Sequence, residues 1–109
     1  MIIVLATFDT KHRAKKIIDR LLRARLIACA TLLPVESTFW WKGKIKNTKE
    51  VLVLLKARKG SFKVLDHYMR NKSGYETPEV IALSPRDVSL PYKNWLLGET
   101  KKPARSQAR

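Results

Sequence analysis

The order of hydrophobic periods along the chain is the feature that most constrains its fold. Strand-length apolar stretches are separated by segments in which apolar residues recur every three or four positions, as in amphipathic helices. The predicted elements are a strand over residues 1–8, a helix over 11–25, strands over 28–40 and 50–56, a helix between 61 and 73, a strand over 80–83 and a short helix starting near 91. This β-α-β-β-α-β order with an appended helix predicts an α+β, ferredoxin-like domain over residues 1–101.

Residues with special backbone chemistry mark the element boundaries. Asp9 or Thr10 is expected to cap the first helix, and Ser61 the second. Gly43 predicts a tight reversal that joins the second and third strands as a hairpin. Pro34 cannot donate a ladder hydrogen bond, so the second strand is expected to lie at a sheet edge or to contain a bulge there.

One face of the predicted sheet is left without cover. Right-handed crossovers place both βαβ helices on the same side, and a chain of 109 residues has little else to cover the other side. Trp40, Trp41 and Trp95 also carry large rings that favour burial. The sequence therefore predicts that the protein oligomerises.

The charge of the chain is strongly positive and unevenly distributed. Lys and Arg number 23 against 9 Asp and Glu, a formal net charge of +14. Residues 11–63 hold 15 basic and 3 acidic side chains, and residues 102–109 form a basic tail that we expect to be disordered. A module that binds nucleic acid or another polyanion is therefore an alternative function. One continuous basic face would favour it, whereas scattered charges would indicate solubility alone.

Composition also bears on the compartment of the protein. Its apolar runs fall short of the roughly 20 residues that cross a bilayer, and no secretory signal is recognisable. Cys29 is the single cysteine, so it cannot form a disulfide within the chain and suits a reducing compartment. We expect a cytoplasmic protein with no membrane partner.

Several segments, in their order and spacing, resemble the CutA family, which is named for divalent-cation tolerance. The resemblance spans about residues 1–101 and is carried by residues 25–30, 37–41 with 43–45, Glu50 with Lys56, 75–81 and 92–96. It implies a ferredoxin-like homotrimer related in shape to the PII-type signalling proteins. Where family members commonly carry His-Pro-Tyr, this chain has Ser73-Gly74-Tyr75, so the histidine most often linked to copper is replaced.

The candidate ligand site is a cleft between subunits formed by the hairpin and the segment before the last strand. The expected lining residues are Trp40, Trp41, Lys44, Lys56, Tyr75 and Glu76. The tryptophans could instead stack on the bases of single-stranded nucleic acid, but rigid rings are favoured at subunit contacts.

Cys29 is the candidate metal ligand because it is the one soft donor, and thiolates select Cu(I). Its alternative role is that of a small buried hydrophobe. The candidate ligand is copper or another divalent cation. We expect it to bind weakly and the binding to depend on Cys29. We also expect a Ser73→His substitution to strengthen the binding. The carboxylates Glu50, Glu76, Glu79 and Asp87 accompany no nucleophile or phosphate-loop motif, so no enzyme is predicted.

The sequence thus predicts a non-enzymatic, cytoplasmic, trimeric divalent-cation tolerance protein that acts by binding metal or by signalling. Nucleic acid is not expected as its principal partner.

Overall fold

The computed structural model describes residues 1–102, and the predicted order of elements is confirmed. The elements are β1 (Ile2–Phe8), α1 (Lys11–Arg23), β2 (Cys29–Trp41), β3 (Lys44–Ala57), α2 (Phe62–Lys72), β4 (Val80–Leu83) and α3 (Leu90–Glu99). Residues 103–109 of the predicted basic tail lie outside the described residues, so the boundary between domain and tail stays a prediction. No helix within residues 1–102 is long and apolar enough to cross a membrane.

The strands form one antiparallel sheet in the order β2-β3-β1-β4, which is the ferredoxin-like arrangement. Helices α1 and α2 both contact β1 and cover one face of the sheet. The core lies between these helices and the sheet, and its fully buried side chains include Val4, Phe8, Leu21, Leu55 and Met69. The strand register explains why Val4 and Leu55 are buried together, since they are paired and residues paired across an antiparallel ladder point to the same face.

The first helix begins as predicted and ends two residues earlier. The Thr10 hydroxyl accepts a hydrogen bond from the Arg13 amide at 3.2 Å, which makes Thr10 the cap. At the other end Arg25 has φ 59°, and the Leu26 amide donates to the Leu21 carbonyl at 3.0 Å. This is a Schellman reversal built without glycine, so the sequence carried no signal for it.

The second helix corrects the prediction that the Ser61 side chain caps it. Ser61 precedes the helix, but its backbone is already helical, at φ −86° and ψ −3°, and its side chain makes no capping hydrogen bond. A side-chain cap needs an extended backbone at that position. The side chain of Ser61 is buried instead.

The β2–β3 hairpin is longer than predicted. Its turn is a two-residue reversal in which Lys42 and Gly43 have φ 50° and 79°, as a type I′ turn requires. Strand β3 starts at Lys44 rather than Glu50, and pairing with β1 begins only at Val51. Residues 35–50 therefore form a two-stranded projection, which we name the hairpin arm. Of the two predictions for Pro34, the edge position is confirmed, because β2 is an edge strand with an unbroken register.

The face of the sheet away from α1 and α2 is apolar and accessible. We name it the open face. Leu33, Ile81 and Leu83 project from it with 41%, 46% and 48% of their surface exposed. Tyr92 of α3 reaches its edge, where the tyrosine hydroxyl lies 3.6 Å from the Cys29 sulfur.

Two arginines hold the C-terminal end of α3. Arg58 Nη2 donates to the Leu97 carbonyl at 2.7 Å, and its Nε donates to the Thr100 hydroxyl at 3.0 Å. Arg25 Nη1 lies 2.8 Å from Glu99 Oε2. Cations at this position also oppose the negative end of the helix dipole, so polar contacts fix this end of α3.

Candidate functional site

A cleft of about 840 Å³ lies between the hairpin arm and the loop of residues 73–79. Four of the six predicted lining residues, Trp40, Trp41, Tyr75 and Glu76, line it. The structure therefore brings together the two segments that the resemblance singled out, even within one chain.

The two predicted lysines do not line this cleft. Lys44 follows the hairpin turn and is paired with Trp41. Lys56 lies six residues beyond Glu50 on β3, which is roughly 20 Å along an extended strand. Its ammonium group instead donates to the Thr31 hydroxyl, at the opposite end of the sheet.

A hydrogen bond between Tyr75 and Glu50 joins the two walls of the cleft. The Tyr75 hydroxyl donates to Glu50 Oε2 at 2.8 Å. Burial, and then this bond to a carboxylate, raise the pKa of Tyr75 above its ordinary value of 10.0. Glu50 is thus a half-buried, hydrogen-bonded carboxylate.

At the tip of the hairpin arm, Lys42 Nζ lies 3.6 Å from Glu76 Oε2. Both side chains are exposed, so this ion pair adds little to stability. The arm and the loop therefore meet at two points, of which the Tyr75–Glu50 bond is the more sheltered.

The 73–79 loop is also fixed to the start of α1. Gly74 has φ 87°, and its Cα faces the Arg13 guanidinium so closely that an added Cβ would lie 2.8 Å from it. Arg13 is in turn held by Asp9, at 2.9 Å from Nε to Oδ1. Proline, common at this position in the family that the chain resembles, cannot adopt such a φ.

We expect Gly74→Ala to lower the free energy of unfolding by about 1–3 kcal/mol, because alanine is strained at positive φ and must displace the Arg13 side chain. Thermal melts followed by circular dichroism measure this. The matched control is Gly98→Ala in α3, where nothing lies within 4 Å of an added Cβ. That change should be neutral or stabilise by up to about 1 kcal/mol. Equal melting temperatures for the two variants would contradict the strain argument.

The cleft is acidic in an otherwise basic protein. Glu50, Glu76 and Glu79 line it together with a single lysine, Lys46. Carboxylates beside aromatic rings favour cations over anions. Nevertheless, within the described range no three His, Cys, Asp or Glu side chains converge closely enough to hold a metal ion.

Cys29 is half-buried at the start of β2. Its hydrogen bond with the Tyr92 hydroxyl, together with burial, raises the pKa of Tyr92 to about 12. Within residues 1–102 no group of three His, Cys, Asp or Glu side chains includes this thiol, so one chain alone does not supply the usual ligand set of a metal site.

Within one chain, Ser73 lies far from Cys29, so the expected effect of Ser73→His stays a prediction for a site shared between subunits. Cys29 is paired with Lys56, at the end of the sheet where β1 begins. Ser73 is buried near the end where β1 finishes, and its hydroxyl accepts a hydrogen bond from the Tyr75 amide at 3.2 Å. Within one chain, a histidine at position 73 could not reach the thiol.

Comparison with known proteins identifies the family. A family model described as CutA1 divalent ion tolerance protein matches residues 2–99. The chain belongs to the CutA1 family. Among curated relatives of this CutA1 chain, the divalent-cation tolerance protein CutA of Pyrococcus horikoshii is 40% identical over 102 residues, covering 94% of this chain and 100% of the relative.

Solved structures of CutA1 proteins share the fold. CutA1 from Pyrococcus horikoshii superposes with a TM-score of 0.88 at 39% identity, covering 94% of this chain and 100% of that one. A protein from Archaeoglobus fulgidus, described as a periplasmic divalent cation tolerance protein CutA, gives a TM-score of 0.89 at 26% identity. It covers 93% of this chain and all of its own.

Proposed function

We propose that this chain acts in tolerance of divalent cations as a non-enzymatic homotrimer that binds copper weakly and reports or buffers it. Membership of the CutA1 family carries the proposal. Catalysis is not part of the proposed role, because the described polar groups of the cleft include no nucleophile activated by a neighbouring base.

The open face supports the homotrimer. Leu33, Ile81 and Leu83 expose about half of their surface in one chain, and Tyr92 and Trp95 of α3 add exposed rings. Burial of such side chains stabilises association by roughly 25 cal/mol per Å² of apolar surface. The long edge strand β2 also offers unpaired backbone groups to a neighbouring copy.

Shared ligands support the role of copper. Each chain contributes one thiol, Cys29, and one described chain supplies too few ligands for a tight site. In a homotrimer a ligand is present three times, so a site between subunits can reach a coordination number that a single chain cannot. We therefore expect the Cys29 thiolate to bind Cu(I) together with donors of other copies.

The cytoplasm is the compartment that we propose. The thiol of Cys29 is not paired in a disulfide and is half-buried, which suits a reducing environment. The periplasmic description of the Archaeoglobus relative concerns that protein, and fractionation of cells that express this chain would test the proposal directly.

We expect Cys29→Ala to abolish what Cu(I) binding the protein has, measured by competition with a chromogenic Cu(I) chelator, because the variant lacks the only thiolate. The matched control is Tyr92→Phe, which removes the neighbouring hydroxyl and keeps the sulfur. It should retain binding within about twofold.

Native mass spectrometry of the same samples gives the number of subunits and of bound ions. Copper retained by Cys29→Ala would contradict the assignment of the thiol. Copper bound by a monomer would contradict a site shared between subunits.

A further inference from the structure

We propose that the outer surface of α1 and α2 binds the phosphate backbone of duplex nucleic acid. We name this surface the helical face. The inference goes beyond the proposed role in cation tolerance and does not depend on it. It rests on how the charges of these two helices are paired.

The acidic side chains of the helical face are already neutralised within the chain. Each lies four residues before an arginine and forms an ion pair with it. The pairs are Asp9–Arg13 and Asp19–Arg23, both at 2.9 Å, and Asp66–Arg70 at 3.1 Å. No carboxylate on α1 or α2 is therefore left to repel an anion.

The remaining charges of the helical face are all positive. Six exposed cations form no ion pair within the described part of the chain: Lys11, Lys15, Lys16, Arg20, Lys63 and Lys72. A surface with six unpaired cations and no unpaired carboxylate on its helices differs from an ordinary solvated surface, in which both signs are interspersed.

The two helices present these cations on one side of the molecule. Both contact β1 and cover the same face of the sheet. Helix α1 has 13 residues and is about 20 Å long, so it spans about six phosphates of one DNA strand. Both helices therefore carry exposed cations on the same side of the sheet, which is the side a polyanion would approach.

The other side chains of the helical face favour duplex nucleic acid over two other polyanions. The aromatic residues of α2, Phe62 and Tyr68, are partly buried, and the exposed tryptophans lie on the hairpin arm and α3. Stacking on unpaired bases is therefore not available on this face. Leu22 is the one large apolar residue exposed on α1 and α2, too little to insert into a lipid surface.

Assembly through the open face would leave the helical face accessible. It lies on the opposite side of the sheet from the open face, so burial of the open face leaves its cations in solvent. A single chain can bind through it, and a homotrimer would add avidity by presenting three copies.

The test is fluorescence anisotropy with a labelled 20-base-pair DNA duplex, using the full chain at 50–200 mM salt. The variant Lys15→Gln/Lys16→Gln/Arg20→Gln removes three cations of the helical face. The control Lys44→Gln/Lys49→Gln/Lys93→Gln removes three exposed cations elsewhere, none of which lines the cleft or forms an ion pair within the described residues. Circular dichroism melts establish that both variants are folded.

We expect the helical-face variant to lose at least about tenfold in affinity and the control less than about threefold. The slope of log K against log salt should become shallower by about 2–3 in the helical-face variant, since each phosphate contact contributes about 0.9. Equal losses in both variants would overturn the proposal, as would the absence of wild-type binding at 50 mM salt. Tighter binding to single-stranded DNA or to vesicles with phosphatidylserine would overturn it in favour of those partners.

Discussion

Leu83→Arg should convert the proposed homotrimer into monomers. Leu83 lies on the open face in β4, with 48% of its surface exposed in one chain, and its register partner on β1 is Ile3. A guanidinium buried in an apolar interface loses its hydration without gaining a carboxylate, and this cost exceeds what a small interface can offset. Light scattering after gel filtration should give a mass near 12.6 kDa in place of three times that value.

The matched control is Leu22→Arg. Leu22 has a similar exposed fraction, 38%, but lies on α1, on the other side of the sheet. It should leave the oligomeric mass unchanged. A wild-type monomer, or a Leu83→Arg variant that keeps the wild-type mass, would contradict assembly through the open face.

Phe8→Ala should lower the free energy of unfolding by about 3–5 kcal/mol, a large part of the about 5–15 kcal/mol typical of a domain. Phe8 is fully buried at the end of β1, where the chain turns into α1, and is paired with Val51. Truncation leaves a cavity that the strand and the helix cannot close without moving.

Urea unfolding at fixed protein concentration measures this effect, because dissociation and unfolding are linked in an oligomer. Leu22→Ala provides the comparison, since it removes an exposed apolar side chain. Its effect should be below about 1 kcal/mol. A loss for Phe8→Ala no larger than that of Leu22→Ala would contradict the place of Phe8 in the core.

Strong periodicity made most of the fold predictable from the sequence. Strand β4 was predicted at its observed bounds, and both βαβ helices were found because apolar residues recur at helical spacing. The first half of β3 was missed because residues 44–49 are mostly polar and pair with β2 outside the core. Two-stranded pairing of this kind needs no buried face, so the sequence of this segment shows no alternation of apolar and polar residues.

The candidate site was only partly predictable. Tryptophans in the hairpin and the segment around Tyr75 indicated the two walls of the cleft. The Tyr75–Glu50 bond joins residues 25 positions apart, and the contact of Arg13 with Gly74 depends on how α1 packs. Neither contact leaves a local pattern in the sequence. Lys56 was included because it resembles a family position, whereas the length of an extended strand puts it at the far end of the sheet.

The central position of β1 has a consequence for synthesis of the chain. This strand is made first, yet its neighbours in the sheet, β3 and β4, begin only at Lys44 and Val80. The carbonyl of Arg25 likewise accepts its hydrogen bond from the amide of Lys101. A nascent chain therefore cannot complete its sheet until β4 has left the ribosome, and until then one edge of β1 lacks its partner strand. Translation pauses before β4 should accordingly increase capture of the nascent chain by chaperones.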